Sequence, residues 1–263
     1  MIALFTDFGT RDAYVAQIKG AIVSINPHAQ LLDLTHDIEP FNIREAAYLL
    51  EQSTRHFPAR TIVVAVVDPG VGSARRPIVL RTLADKFYVG PDNGLFTRVI
   101  ESERLAQAYL LQNPAFFRSL AVSATFHGRD IFAPVAAHLA RGISPWRFGP
   151  AVTDLMLLPQ PSMDLDGRTI RGEVIHVDGF GNIVTNIGAT YLADLRAGQQ
   201  IQVTFANATR RLPFCRTYAE APPGSLIGLI NSAATFEVAV CQGRAVQHVA
   251  VQIGDPIILE APG

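Results

Sequence analysis

The sequence predicts an α/β fold, an N-terminal α/β sandwich with a largely parallel sheet, followed by a smaller all-β, barrel-like domain. Three observations predict it. Residues 61–67 (TIVVAVV) are apolar on both faces and rich in β-branched side chains, the pattern of a central strand covered on both sides. Strand-like and helix-like segments alternate through the first half of the chain, which favours a sheet sandwiched between helices. After about Trp146 that alternation stops, and short strand-like runs between glycine or polar turns replace it.

The elements follow in order. Residues 2–6 read as a buried strand, and residues 13–25 carry apolar side chains at helical spacing. Residues 31–34 are strand-like again. Residues 42–53 form an amphipathic helix, with Ala46, Ala47, Leu49 and Leu50 on its apolar side. The 61–67 strand comes next, then strands at 77–80 and 87–89 and a helix at 130–141. The proline-punctuated stretch 157–167 (LLPQPSMDLDG) reads as a linker between domains at 1–155 and 166–263. Beyond it lie strand-like runs at 169–177, 183–187, 200–205, 226–230, 236–240 and 256–259.

Bulk properties narrow the function. A chain of 263 residues can hold two modest domains, each with its own core. Hydrophobic residues make up 49% of it and the mean hydropathy is +0.22, which fits a buried subunit interface and so an oligomer. The net charge of -1, from 22 basic and 23 acidic residues with no cationic block, excludes a dedicated nucleic-acid binder. Cys215 and Cys241 belong to no metal-ligand pattern and read as core residues of a reducing compartment. The N-terminus lacks the basic start and long apolar stretch of a signal peptide, and no window approaches the ~20 apolar residues of a membrane span. The expectation is a cytoplasmic protein with no membrane partner.

In open α/β sheets, ligands gather beyond the carboxyl ends of the strands. Four polar clusters fall at such ends. TDFGTRD offers Asp7 and Asp12, and THDIEPF offers His36, Asp37 and Phe41. DPGVGSAR offers Asp68 and Arg75, while TFHGRD offers His127, Arg129 and Asp130 just before a helix. Taken singly, each also fits an ordinary turn, a helix cap or a structural pair. The acidic and histidine side chains would suit a two-metal phosphoesterase, although no HxH or HExxH spacing fixes ligands on one face. A glycine-rich dinucleotide fingerprint and a phosphate-binding loop are both absent from the sequence.

Taken together, the segments TDFGTRDAYV, THDIEPF, DPGVGSAR, PDNGL, TFHGRDIFAPVAAHLA, DGFGNIVTNI and LINSAATFEVAV resemble the SAM hydroxide adenosyltransferase family. This family of S-adenosyl-L-methionine (SAM) hydrolases is related to fluorinases and chlorinases. The segments keep the family's order and span nearly the whole chain. The resemblance implies hydrolysis of SAM to adenosine and methionine, with no cofactor and no metal. It also implies a homotrimer whose site lies at the subunit interface. By motif position it assigns Asp68, Arg75 and His127 to water activation. Where this chain has Asp68 the halogenating relatives have tyrosine, which argues against halide use. The resemblance further implies substrate contacts from Asp7 (ribose hydroxyls), Asp12 and Asp178 (methionine end) and Phe41 (packing on the ligand). Phe180 and Asn182 would clamp adenine, Tyr218 would also stack, and Ser232, Glu237 and Val240 belong to the segment that contacts adenine or the amino acid; for Phe180, Tyr218 and Val240 plain core packing is the alternative. Ala233 stands where the fluorinase has an arginine.

Overall fold

In the computed structural model, which describes residues 1–260, the chain divides into two units, Met1–Leu158 and a stretch beginning at Pro159. The first unit follows from period-two burial in its strands. In β1 (Ile2–Thr6), Ile2 and Leu4 face one apolar layer while Ala3 and Phe5 face the other. The first layer is supplied by α1 (Tyr14–Ile25), whose Ile18, Ala21 and Ile22 point inward. After β2 (Leu31–Thr35) comes α2 (Ile43–Thr54), which puts Ala46 and Leu50 against the second face. Asn42 caps α2 by accepting from the Glu45 N–H at 3.1 Å. The doubly apolar run becomes β3 (Ile62–Val66), fully buried along its length.

β4 (Pro77–Thr82), β5 (Phe87–Pro91), α3 (Thr97–Glu103) and β6 (Leu105–Leu110) follow, and α4 (Ala133–Ala140) returns to the layer of α1. Sheet order is β2-β1-β3-β5-β4-β6. The β1–β2, β1–β3 and β3–β5 pairings are parallel, whereas β4 runs against both its neighbours. The sheet is therefore mixed. The reversal arises because β4 and β5 are joined by a tight hairpin, in which Asp85 takes a positive φ of 58°. In this unit two elements had no expectation from sequence, α3 and the edge strand β6, whose burial is broken rather than alternating. The helix expected at 130–141 is preceded by a π-helical turn, Gly128–Phe132, and α4 continues from it.

One buried polar network pins α2 to the hairpin and α3. Lys86 Nζ donates to the Thr54 carbonyl at 2.7 Å and to Glu103 Oε1 at 2.6 Å. Tyr88 Oη donates to Thr54 Oγ1 at 3.0 Å, and Thr82 Oγ1 donates to Glu103 Oε2 at 2.8 Å.

The second unit is a barrel-like antiparallel sheet. Its strands are β7 (Asp164–Asp166), β8 (Thr169–Val177), β9 (Ile183–Gly188), β10 (Gln200–Phe205), β11 (Ala208–Pro213), β12 (Leu226–Ile230), β13 (Thr235–Val240) and β14 (Pro256–Glu260). Their order is β11-β10-β14-β8-β9-β13-β12, with β7 paired to β8. Asp164–Asp166 thus lies in the stretch that reads as linker from sequence, yet it already pairs with this sheet. The two end strands meet where Phe214 bridges Gly228, and the Cys215 N–H donates to the Gly228 carbonyl at 2.8 Å. Only glycine fits that seam, since a Cβ at 228 would lie 2.7 Å from the Phe236 ring and 2.9 Å from Leu212. Inside sit Ile183, Ile201, Val203, Leu212, Phe236 and Leu259. Cys215 and Cys241 are both buried and unlinked. No helix among the described residues is long and apolar enough to cross a membrane.

Removing one partner of a buried ion pair leaves the other charge desolvated and uncompensated. Glu103→Ala is expected to lower unfolding free energy by about 3–5 kcal/mol, read from the urea midpoint at unchanged slope. A loss below about 1 kcal/mol would mean the network is solvated.

Candidate active site

The exits of β1 and β3, the loop after β2 and the segment before the π turn converge on one cleft of about 380 Å³. Asp7, Phe41, Asp68, Val71, Phe126 and His127 line it. The loop from 68 to 75 is a succession of turns. Val71 N–H donates to the Asp68 carbonyl at 3.2 Å and Ser73 N–H to the Gly70 carbonyl at 3.1 Å. Ser73 Oγ then accepts from the Arg75 N–H at 3.2 Å, folding Arg75 back over Asp68. Gly72 has φ +77°, and a Cβ there would lie 2.4 Å from the Ala124 carbonyl oxygen. The loop therefore packs backbone to backbone on the segment that carries His127.

Arg75 Nε donates to Asp68 Oδ1 at 2.9 Å and Nη2 donates to Asp68 Oδ2, a two-pronged pair. The side chains of Arg75 and Asp68 keep only 8% and 5% of their exposure. The guanidinium carbon sits 5.3 Å over the Phe132 ring. Arg75 Nη2 also lies 3.0 Å from His127 Nδ1. A guanidinium only donates, so Nδ1 must accept, and the neutral ring carries its proton on Nε2. Burial lowers the pKa of His127 below the usual 6.5, the positive charge of Arg75 lowers it further, and Asp68 and Asp130 oppose. Arg75 Nη1 is buried without a protein partner, a donor left open. The neighbouring Arg76 turns away to Asp92 and Asp154, at 2.6 and 2.9 Å.

Asp7 is half-buried. Burial raises its pKa and the charge of Asp68 adds to the rise, while the Phe41 N–H, donating to Oδ2 at 3.0 Å, works against it. Phe41 takes a positive φ of 68° and is 70% exposed. That strained backbone is fixed in part by its bond to Asp7. Sequence reasoning missed the aromatic wall of the cleft. Phe8, Tyr14 and Phe126 pack edge-on with ring centres 5.4–5.9 Å apart. Aromatic residues flanking the motifs were the available signal.

Several residues singled out from sequence stand elsewhere. Asp12 is exposed and outside the cleft lining. His36 is buried, with Nδ1 2.8 Å from Thr6 Oγ1 and Nε2 3.1 Å from Asp33. Asp37 is exposed. Asp130 is fully buried between Arg118 and Arg129 and accepts from the Ser123 N–H, which holds its carboxyl far below the usual range against the opposing effect of burial. Of these acidic and histidine residues, Asp7, Asp68 and His127 share the cleft, whereas His36 and Asp130 are engaged elsewhere and Asp12 and Asp37 are exposed. No group of three or more His, Cys, Asp or Glu side chains close enough to hold one metal ion occurs among the described residues.

In the barrel unit, Asp178 closes the β8–β9 turn. Its Oδ1 accepts from the Phe180 and Asn182 N–H groups at 2.9 and 2.8 Å, and Oδ2 from Asn182 Nδ2 at 3.0 Å. The Phe180 ring is 78% exposed and Asn182 is buried. Tyr218 Oη donates to Glu237 Oε1 at 2.8 Å, and Asn231 Nδ2 donates to Oε2 at 3.2 Å. Burial raises the pKa of Glu237, and these two donors partly offset it. Ser232 is exposed on the β12–β13 turn, and Val240 packs in the barrel core. Core packing describes Val240 but neither Phe180 nor Tyr218. Asn231 went unremarked in the sequence, although its position beside Ser232 was a signal.

An α/β sandwich followed by a small β barrel, with carboxylate, guanidinium and imidazole gathered at the strand ends, defines a class of two-unit proteins with a small-molecule cleft. Residues 2–149 match the SAM hydroxide adenosyltransferase N-terminal domain, and residues 172–258 match the C-terminal domain of that name. The chain belongs to the SAM hydroxide adenosyltransferase family. It is 38% identical to a Thermus thermophilus protein named (R)-S-adenosyl-L-methionine hydrolase, with 98% of each chain covered. A protein of the same name from Salinispora arenicola is 39% identical, over 99% of this chain and 97% of that one. The solved structure of an uncharacterized conserved protein from Thermotoga maritima superposes with a TM-score of 0.94 at 36% identity, covering 98% of this chain and 99% of that one.

Burial first, and the charge of Arg75 second, set the behaviour of His127 in solution. In a proton NMR titration its ring resonances are expected to titrate below pH 6.5. A midpoint at or above that value would mean that burial and the Arg75 charge do not outweigh Asp68 and Asp130 at this ring.

Proposed function

We propose that the protein hydrolyses S-adenosyl-L-methionine to adenosine and methionine by direct displacement at the ribose C5′. The observation that carries this reading is the buried Asp68–Arg75 pair with His127 held as a neutral acceptor on the same guanidinium. A sulfonium is a good leaving group, so C5′ is already electrophilic and water is the weak partner. Asp68 accepts a proton from the attacking water. His127 cannot take it while Arg75 occupies Nδ1, because Nε2 already bears hydrogen; instead Nε2–H donates to the water oxygen and orients it. The oxygen–C5′ bond forms as the C5′–S bond breaks, and the electron pair leaves on sulfur as methionine. Positioning the water in line with that bond supplies much of the remaining acceleration.

Asp7, a half-buried carboxylate facing the cleft, suits the ribose 2′,3′-diol, and Phe41 packs on the ligand. Asn182, Phe180, Tyr218 and Glu237 serve the adenine and amino-acid ends, with Asp12, Asp178, Ser232 and Val240 assigned to the same surface by the family pattern. The same reading includes a cytoplasmic homotrimer with the site at the subunit interface, needing no cofactor. The exposed rings of Phe41 and Phe180 support it, as does the apolar composition. Close relatives are named for the (R)-sulfonium form, so both sulfur epimers should be offered as substrate.

Purified protein incubated with SAM and EDTA is expected to yield adenosine and methionine in equal amounts. Asp68→Ala should lower the rate by about 10²–10⁴-fold. The rate should hold from neutrality to pH 6.5 and fall only below it, because protonating His127 abolishes its acceptor and sets two cations together. No products from either epimer, or activity abolished by EDTA, would sink the reading.

A further inference from the structure

The PDNGL segment at the end of β5 stands out in the sequence, and the mechanism above makes no use of it. Its place in the sheet is unusual. Asp68 follows β3 and Arg75 precedes β4, yet β3 and β4 are not neighbours, because β5 lies between them. The loop from 68 to 75 therefore arches over the carboxyl end of β5. Whatever leaves that end is flanked by the roots of both charged residues.

The contacts use both flanks. On the β3 side, Asn93 Nδ2 donates to the carbonyl of Val67, the residue before Asp68, at 2.9 Å. Asn93 Oδ1 accepts from the Leu95 N–H at 3.2 Å, which fixes the amide's orientation. On the β4 side, the Asp92 N–H donates to the Arg76 carbonyl at 2.9 Å. Asp92 Oδ2 accepts from Arg76 Nε at 2.9 Å and Nη2 at 2.6 Å. The other oxygen, Oδ1, accepts from the Met156 N–H at 2.9 Å. Asp92 is almost wholly buried, and all its partners are fixed groups of the same unit. One dipeptide thus grips the residue before Asp68 and the residue after Arg75.

We propose that Asp92 and Asn93 are positioning residues that set the alignment of the Asp68–Arg75 pair, acting through Val67 and Arg76. Neither lines the cleft. The proposal rests on the reading of Asp68 and Arg75 as the water-activating pair. A bidentate carboxylate–guanidinium bond tolerates little sliding, and a small displacement of one root misaims the other.

The test uses Asn93→Asp and Arg76→Lys, each alone and combined with Asp68→Ala. Asn93→Asp keeps the acceptor for Leu95 but turns a carboxylate on the Val67 carbonyl. Arg76→Lys keeps the charge and loses the fork. Each single variant is expected to lower kcat for SAM cleavage by about 10- to 100-fold while KM stays within about twofold. Each should also move the Arg75 Nε–H resonance in the nitrogen-15 spectrum. In the Asp68→Ala background neither should cost anything further, since the residue being aimed is gone. Equal losses in both backgrounds, or an unmoved Arg75 resonance, would overturn the proposal. Should Asn93→Asp fail to fold, Arg76→Lys carries the same readouts. If the unaltered protein cleaves no SAM, the proposed activity fails, and the Arg75 resonance alone decides whether the brace exists.

Discussion

A carboxylate and a guanidinium held almost out of water at the carboxyl end of β3 constrain the rest of the sandwich unit. Desolvating two ions costs several kcal/mol each, and their attraction offsets this only when the geometry is close to ideal. Two-pronged contact between Asp68 and Arg75, the Phe132 ring beneath the guanidinium and the imidazole nitrogen of His127 supply that geometry. Each demands something of the chain. The loop must turn sharply within seven residues, Gly72 must lie flat on Ala124, and a π-helical turn must begin at Gly128. Asp130 secures that turn from behind through two arginines.

The partners of the acids separate those that build from those that face ligand space. Asp92 and Asp130 sit against arginines, so their charge is used up inside the protein. Asp7 and Glu237 receive only neutral donors: a backbone N–H in one case, a phenol and an amide in the other. Burial raises the pKa of both, an unrelieved tension that a cationic or hydroxyl-bearing ligand would relax. Asp68 stands between these groups, since it is paired to an arginine yet borders the cleft.

Much of this was legible in the sequence because it depends on local pattern. The 61–67 run declares a covered strand, and the strand and turn runs after 169 declare the barrel. The direction of β4 was not legible, because it depends on which strand the hairpin inserts beside β3. Two arginines stand side by side at 75 and 76, and nothing in the local pattern states that the structure sends their side chains to different carboxylates. The dispersal of His36, Asp37 and Asp130 was hidden for a related reason. The partners of His36 are Thr6 and Asp33, those of Asp130 are Arg118, Arg129 and Ser123, Asp37 is exposed, and nothing in the local pattern states which way a polar side chain at a strand end will turn. Phe180 is exposed because it sits on the β8–β9 turn, and Val240 is buried because its side chain packs in the barrel core, a distinction composition does not record.

Asn93 precedes Gly94, and asparagine–glycine is the dipeptide whose side-chain amide is most readily attacked by the next backbone nitrogen. Such attack passes through a cyclic imide and ends in aspartate or its isomer, so a protein carrying the pair keeps a chemical clock. Here both ends of the amide are tied, one to Val67 and one to Leu95, which holds its carbonyl carbon in place. Only when heat or mild alkali loosens those two bonds is this molecule open to damage at that identifiable atom. The damage would add about one dalton and leave the barrel unit chemically unchanged.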